Sequence, residues 1–268
     1  MDDKQFRQLL NRCEFSWSGY RKIRKGAKKR ISRHMTALGC RNISEYLAVI
    51  DREEEIRQQC ELLLTVSISR FFRDRKFWEI LEKELLPEMV KKNSDKIKIW
   101  SAGCASGEEV YSFKMVWDGM KKHAVKFPKL EIIATDMNPT YLARARAGIY
   151  SSSSLKELTK DLKLKYFQQK PGKNLFMVNP TLGKDVSWKR HHLLSDPPDS
   201  GFNIIFLRNN VLTYYGDRLK NKAFNNVFSS LLPFGLLIIG SHESLPSDSS
   251  DLTRVARLPY VFRKGPNP

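Results

Sequence analysis

From about residue 97 onward, short apolar runs alternate with longer stretches of helical character. The runs and the stretches that follow them are KIKIW then 108–123, LEIIATD then PTYLARARAG, FNIIFLRNN then RLKNKAFNNVFSSLL, and finally GLLIIGS. Strands that alternate with helices in this way are typical of a mostly parallel sheet covered by helices on both faces. We therefore predict an α/β domain with a Rossmann-like sheet over residues 76–268, closed by an antiparallel strand at LPYVFRK.

Two segments depart from this alternation. Residues 1–75 contain no proline, and Ile23, Ala27 and Ile31 recur at four-residue steps, which is the pattern of an amphipathic helix. We predict a small helical N-terminal domain over 1–75. In residues 164–190, Pro-Gly and Leu-Gly turn signals separate short β-prone runs, and we predict a small antiparallel β insert there.

The charge balance predicts an acidic partner. The chain carries 47 basic and 29 acidic residues, a net charge of +18. Such a charge favours binding to nucleic acid, to an anionic membrane or to an acidic protein, and the alternative is a solvated basic surface. The longest apolar run, LLPFGLLIIG, has ten residues, whereas a membrane span needs about 20. The polar start MDDKQFRQLL is no signal peptide, so we expect a cytoplasmic protein without membrane insertion. Nothing in the sequence argues against a monomer.

The four cysteines are scattered, and no Cys or His spacing indicates a metal. The candidate site lies instead in the loop SAGCASGEEVYS at 101–112, between the first strand and its helix. In an open α/β sheet, ligands bind beyond the carboxyl ends of the strands. Gly103 allows close backbone approach, and Asp136, at the end of the second strand, is placed to accept both hydroxyls of a ribose.

The two glutamates that follow this loop indicate which nucleotide-like ligand is expected. Glu108 and Glu109 begin the helix, where they would repel a phosphate. S-adenosylmethionine carries an adenine, a ribose and two cationic groups, the sulfonium and the ammonium. Carboxylates beside the loop would complement those charges. The pattern therefore favours an S-adenosylmethionine site over a dinucleotide site.

The chain also resembles the CheR family of chemotaxis receptor methyltransferases. The resemblance rests on LLTVSISRFFRD (63–74), IKIWSAGCASGEEVYS (97–112), IIATDMNPTYLARARAGIY (132–150), FLRNNVLTYY (206–215) and LLPFGLLIIGSHESL (231–245). These segments occur in family order and span most of the chain. The resemblance implies O-methylation of protein glutamate side chains by S-adenosylmethionine, with S-adenosylhomocysteine as the second product. It also implies a three-stranded antiparallel subdomain at about 164–190.

The resemblance assigns roles to residues of the matching motifs. The residues it places at the cofactor are Ser67, Ser69, Arg73, Gly103, Glu108, Asp136, His192, Leu193, Asn209 and Asn210. Within GEE it favours Glu108 over Glu109 for the methionine moiety. Asp136 takes the ribose, and Arg73 and Tyr214 lie closest to the transferred methyl group.

Several motifs depart from the family pattern. The usual TxNxT is Thr65-Val-Ser67-Ile-Ser69, the usual HNLL is HHLL at 191–194, and RNNVLTYY contains an extra residue. Two alternatives therefore stay open. One is a methyltransferase of the same fold that acts on another protein, a small molecule or RNA. The other is an inactive module that binds S-adenosylmethionine or its product without turnover.

The segment 21–33 holds eight basic residues and no acidic one. If it is helical with Ile23, Ala27 and Ile31 inward, the residues that point mostly outward are Arg21, Arg24, Lys25, Lys28 and Lys29. The resemblance implies that this basic face docks on acidic helices, such as the methylation helices of a chemoreceptor. Nucleic acid is a less favoured partner, because the segment lacks interleaved aromatic residues and any RNP-like or zinc-finger pattern.

Overall fold

The computed structural model describes residues 1–66, 69–93, 95–121, 127–246 and 249–266. In these residues the largest element is a seven-stranded sheet. Its strands are β1 (Lys96–Ala102), β2 (Lys129–Asp136), β6 (Val186–Arg190), β7 (Phe202–Leu207), β8 (Leu231–Ile239), β9 (Leu252–Val255) and β10 (Leu258–Lys264). A second, three-stranded sheet is formed by β3 (Ile149–Ser151), β4 (Phe167–Gln169) and β5 (Leu175–Val178).

The strand order of the large sheet is β6-β2-β1-β7-β8-β10-β9. The five strands from β6 to β8 are parallel, and β10 is antiparallel to both of its neighbours. From β1 the chain runs outward through β2 to β6 and then returns to β7 on the other side of β1. This reversal places the topological switch point at the carboxyl ends of β1 and β7, where α/β sheets bind ligands. The predicted α/β class and antiparallel closing strand are confirmed.

Helices cover both faces of this sheet. The helices that follow residue 66 are α6 (Arg75–Ile80), α7 (Leu86–Lys92), α8 (Glu108–Lys121), α9 (Pro139–Ala147), α10 (Lys160–Tyr166), α11 (Val211–Tyr214) and α12 (Asp217–Ser229). Alternate strand residues point to opposite faces. Trp100 packs in one apolar cluster with Phe224 of α12, and Ile99 packs in another with Phe113 of α8. No helix in the described ranges is both long and apolar enough to span a bilayer.

The N-terminal segment is helical, as predicted. Its helices are α1 (Asp3–Arg12), α2 (Trp17–Tyr20), α3 (Arg24–Ala37), α4 (Ile43–Arg52) and α5 (Glu54–Leu64). Asp2 starts α1 with a reciprocal capping box to Gln5. Ala27 and Ile31 are buried in the same apolar cluster as Trp100, so these helices pack against one face of the sheet. The domain boundary placed at residue 75 stays a prediction.

The small antiparallel sheet exists, but its predicted range is wrong at both ends. Its first strand, β3, lies upstream of residue 164 and pairs with the central strand β5. Val186–Arg190, predicted in the insert, pairs in parallel with β2, with Trp188 opposite Ala134. Trp188 packs against the apolar cluster on the α8 face, and this burial holds β6 in the large sheet. Turn residues marked the strand ends but carried no information on which sheet each strand joins.

Candidate active site

A cavity of about 670 Å³ lies between the N-terminal helices and the carboxyl ends of β1, β2 and β7. The predicted residues that line it are Arg21, Ser69, Arg73, Gly103, Asp136, Leu193, Asn209, Asn210 and Tyr214. They come from six separate parts of the chain, and the fold brings them together at the predicted switch point. Ser67 was also predicted there, but it lies outside the described residues.

The loop after β1 forms one wall and requires glycine at position 103. The amides of Gly103 and Cys104 each donate a 2.8 Å hydrogen bond to the carbonyl oxygen of Thr135. Gly103 has φ +81°, and a Cβ atom there would overlap Asn210 Nδ2. That Nδ2 in turn donates to the carbonyl oxygen of Ala102 at 2.6 Å. The Asn210 side chain is therefore packed against the backbone of Ala102 and Gly103 at the end of β1.

Asp136 ends β2 with its carboxylate held in one orientation. Oδ2 accepts from the Ala105 amide at 2.9 Å, and Oδ1 accepts from the Asn138 amide at 2.8 Å. Burial raises the pKa of Asp136, while these two backbone donors act to lower it. Each carboxylate oxygen has capacity for a second hydrogen bond. The fixed carboxylate can therefore accept from two neighbouring hydroxyls, as a ribose diol requires.

Of the two glutamates that begin α8, Glu109 lines the cavity. Glu109 Oε1 accepts from the Ser101 hydroxyl at 2.8 Å, and Oε2 accepts from Arg208 Nη1 at 3.3 Å. Burial raises the pKa of Glu109, and the charge of Arg208 opposes that shift. The carboxylate is thus a preformed anionic group in the cavity wall.

Glu108, the residue favoured from the sequence, is buried in the protein instead, with 5% exposure. Its Oε2 has no hydrogen-bond partner among the described residues. Burial raises the pKa of Glu108, and a hydrogen bond from Ser69 acts in the opposite direction. Successive helical residues point about 100° apart, so only one of the two carboxylates faces the cavity. The structure places Glu109 there in place of Glu108.

Arg73 reaches the cavity from a strained turn. Its neighbours Phe72 (φ 52°) and Asp74 (φ 65°) both have left-handed backbone conformations, which are rare for such side chains and concentrate at functional sites. The turn is held by the Trp78 indole, which donates to the Arg73 carbonyl oxygen at 2.9 Å. At its other end, Arg73 Nη2 donates to Asn209 Oδ1 at 3.0 Å. The guanidinium is thereby fixed beside the loop that follows β7.

Glu243 organises that loop, and the sequence analysis gave it no role. Glu243 Oε2 accepts from the amides of Asn209 (2.8 Å) and Gly240 (2.6 Å). Its Oε1 accepts from the Thr213 hydroxyl at 2.5 Å. One carboxylate therefore ties the end of β8 both to Asn209, just before α11, and to Thr213 within that helix. Tyr214, which ends α11, has a pKa raised by burial and by the charge of Glu243.

His191 lies in the cavity wall, where His192 was expected. His191 lines the cavity, and its Nε2 donates to the Asp196 carbonyl oxygen at 2.8 Å. His192, predicted for the cofactor, has Nδ1 within 3.2 Å of the Leu194 amide and Nε2 within 3.5 Å of Glu61 Oε2. The turn after β6 directs consecutive side chains in different directions, so His191 replaces His192 in the wall. Leu193 lines the cavity as predicted.

The basic face is smaller than the sequence predicted. Arg24 and Lys28 do not project freely outward, because both form ion pairs with Asp3 of α1, at 3.1 and 2.9 Å. Lys25 and Lys29 are exposed on α3. Arg21 precedes α3 and lines the cavity. The helical periodicity gave the correct inner face of α3 but carried no information on which outer residues α1 would neutralise.

This set of groups fits S-adenosylmethionine. Asp136 offers two acceptors for a ribose diol, Glu109 offers a carboxylate for a cationic end, and Gly103 leaves room against the backbone. In the described ranges, no group of three or more His, Cys, Asp or Glu side chains could hold a metal ion. A doubly wound sheet with such a site at its switch point defines the class of S-adenosylmethionine-dependent methyltransferases.

Comparison with known proteins gives the family. Residues 67–261 match the family model "CheR methyltransferase, SAM binding domain". A chemotaxis protein methyltransferase of Listeria monocytogenes is 34% identical over 206 residues, 76% of each chain. One of Borreliella burgdorferi is 34% identical over 227 residues, 81% of this chain and 79% of that protein. One of Pseudomonas putida is 29% identical over 252 residues, 91% and 90%. The chain belongs to the CheR methyltransferase family, and its cofactor is S-adenosylmethionine.

Proposed function

We propose that this protein transfers the methyl group of S-adenosylmethionine to glutamate carboxylates of an acidic helical protein in the cytoplasm, for example the methylation helices of a chemoreceptor. The observation that carries the proposal is the charge of the cavity on its solvent side. Arg21 and Lys22 line it from the N-terminal helices, and Arg70 and Arg73 line it from the segment after α5. Basic walls on both sides favour an anionic acceptor over a neutral or cationic one.

The cofactor supplies an electrophilic methyl group on a sulfonium when it is bound. Asp136 and Glu109 would hold its ribose and its ammonium, and so fix the position of that methyl group. A glutamate acceptor is already ionised at neutral pH, so the site needs no general base. Arg73 would bind the acceptor carboxylate through charge-assisted hydrogen bonds. Tyr214 keeps its proton at neutral pH, because its pKa is raised, and its hydroxyl can donate to the same carboxylate.

The test is a transfer assay with methyl-tritiated S-adenosylmethionine and the cytoplasmic fragment of a chemoreceptor. A methyl ester of glutamate is cleaved by mild base and releases labelled methanol. The matched control is the same fragment with its acceptor glutamates changed to glutamine. We expect base-labile label on the first fragment and none on the control. Label that resists base would support a different acceptor chemistry, and cofactor binding without any transfer would support an inactive binding module.

The docking partner has a separate test on α3. Lys25 and Lys29 are one helical turn apart and exposed, so the double change Lys25→Glu and Lys29→Glu should slow association with an acidic helical substrate. The defect should shrink as salt rises, since exposed charges are screened over about 10 Å at 0.1 M. Reversal of the exposed Lys83 and Lys91, on the segment that covers the other face of the sheet, is the control. Equal rates for both variants would leave α3 as a solvated surface.

A further inference from the structure

The segment 14–20, which follows α1 and contains α2, is bound directly to the loop that carries Tyr214 (residues 209–216, the Tyr214 loop). We call this segment the N-terminal clamp. The Ser16 amide donates to the Tyr214 carbonyl oxygen at 2.8 Å, and the Gly216 amide donates to the Glu14 carbonyl oxygen at 2.7 Å. Between these two bonds, Phe15 and Tyr215 form an antiparallel bridge. The backbones of two segments about 200 residues apart in sequence are therefore paired like strands of a hairpin.

Side chains reinforce this pairing on both sides. The rings of Phe15 and Tyr215 meet edge to face with centroids 5.1 Å apart, and the rings of Tyr20 and Tyr214 are also 5.1 Å apart. Phe15, Tyr20 and Tyr215 are each at most 8% exposed. Such aromatic pairs contribute about 0.5–1.5 kcal/mol beyond their buried area. The contact is therefore a packed interface within the core of the protein.

Gly19 shows how closely the two segments approach. A Cβ atom at this position would overlap the Thr213 carbonyl oxygen and lie 3.2 Å from Tyr214 Cδ1. Gly19 lies inside α2, where alanine is otherwise the preferred residue. The helical backbone at position 19 would accept a side chain. Glycine is therefore required there because the Tyr214 loop lies so close.

The Tyr214 loop depends on such contacts for its shape. Helix α11 has only four residues, far fewer than an isolated helix needs. Glu243 holds it from the β8 side, and the N-terminal clamp holds it from the opposite side. Asp136, by contrast, ends β2, and Glu109 lies in the first turn of α8. Neither makes a hydrogen bond to the clamp among the described residues.

We propose that the N-terminal clamp is a positioning element for methyl transfer: it fixes Tyr214, so the helical N-terminal segment contributes to turnover as well as to substrate docking. This inference rests on the proposed function, because the role of Tyr214 belongs to that proposal. Loosening the clamp should lower kcat and change cofactor affinity little, since Asp136 and Glu109, which are proposed to hold the ribose and the ammonium, lie outside both the clamp and the Tyr214 loop. A displacement of about 1 Å at a reacting group lowers rates by up to about 100-fold.

The test compares two glycine-to-alanine changes in the N-terminal helices. Gly19→Ala forces the clamp away from the loop, and we expect kcat to fall by about 10- to 100-fold, with Kd for S-adenosylhomocysteine within twofold of the wild type. Gly26→Ala, in α3, is the control, because its Cβ would meet only Arg30 Nη1 at 3.6 Å. Its kcat should equal that of the wild type. Equal kcat in the two variants would overturn the proposal.

A second variant keeps the test decisive if Gly19→Ala fails to fold. Ser16 has φ −80°, which proline accepts, so Ser16→Pro removes the amide that bonds to Tyr214 with little backbone strain. It should reproduce the fall in kcat at unchanged cofactor affinity. In a Tyr214→Phe background, Gly19→Ala should lower kcat by less than twofold further, because both changes act through Tyr214. If Gly19→Ala lowers kcat by the same factor in the Tyr214→Phe background as in the wild type, the clamp does not act through Tyr214.

Hydrogen–deuterium exchange tests the clamp without any activity measurement. Gly19→Ala and Ser16→Pro should speed exchange of the amides at 214–216, whereas Gly26→Ala should not. Unchanged exchange in both variants would refute the clamp. If the wild type transfers no methyl group but the exchange result holds, the proposed function fails while the structural part of this inference stands.

Discussion

Replacement of Glu109 by glutamine should weaken binding of S-adenosylhomocysteine by about 10- to 100-fold while the fold persists. Glutamine keeps the shape of the side chain, and its amide oxygen can still accept from the Ser101 hydroxyl, as Glu109 does now at 2.8 Å. What is lost is the negative charge that we expect to hold the ammonium of the methionine moiety. Arg208 keeps a carboxylate partner, because it also pairs with Asp74.

The size of the effect follows from the burial of this carboxylate. A hydrogen bond to a charged group contributes about 1.5–3 kcal/mol, which corresponds to about 10- to 150-fold in Kd. Because the glutamine oxygen can still accept a hydrogen bond, we expect the loss of affinity to lie in the lower part of that range. Because the side chain is 17% exposed, screening by salt should reduce the effect only slightly.

The assay is calorimetric titration with S-adenosylhomocysteine at pH 7.5, and Glu108→Gln is the matched control. Glu108 is the neighbouring carboxylate, buried away from the cavity with Oε2 unpartnered among the described residues. Its replacement should leave Kd within twofold of the wild type. A loss of affinity in Glu108→Gln, together with wild-type affinity in Glu109→Gln, would refute the reasoning and restore Glu108 as the residue at the methionine moiety.

Three further predictions concern the same cavity. Arg73→Ala should lower kcat at least tenfold, as measured by steady-state kinetics. Its effect on the affinity for S-adenosylhomocysteine, measured by calorimetry, should be smaller. Equal losses in kcat and in affinity would show that Arg73 mainly binds the cofactor. Gly103→Ala should lower the free energy of unfolding by at least about 1 kcal/mol, since φ at this position is +81°. It should also weaken binding of S-adenosylhomocysteine, because the Asn210 side chain must move. An unchanged melting temperature and an unchanged affinity would contradict this prediction. Burial raises the pKa of Glu109 and of Asp136 in the free protein. Because the cofactor binds the ionised forms, its affinity should fall by up to about tenfold per pH unit for each carboxylate once the pH drops below the pKa of that group. The fall should begin at higher pH than for an exposed carboxyl group, and a pH-independent Kd would refute this prediction.

The parallel core of the sheet was predictable because buried strands read as short apolar runs. Ile99 of β1, Ile132 of β2 and Ile204 of β7 each lie in such a run, and Ile99 pairs with the other two. β6 was misplaced because Val186–Arg190 has the same alternating appearance in either sheet. Its pairing depends on where Trp188 packs, and this is a tertiary contact that local sequence does not encode.

The site was predictable in position but not to the single residue. Asp136 and Gly103 are fixed by the ends of strands, and their places agree with the prediction. Glu109 and His191 line the cavity where Glu108 and His192 were expected. Neighbouring side chains point in different directions, and only the packed fold decides which of them faces the cavity. Glu243 acts through backbone amides, which leave no signature in the sequence of the residues it holds.

The most direct test of this account is calorimetric titration of the wild type and of Asp136→Asn with S-adenosylhomocysteine. Both carboxylate oxygens of Asp136 now accept from backbone amides, so the amide group of asparagine would face one of those donors and remove an acceptor for the ribose. We expect stoichiometric binding by the wild type and at least about a tenfold weaker Kd in the variant. Equal affinity in both proteins, or no binding by the wild type, would contradict it.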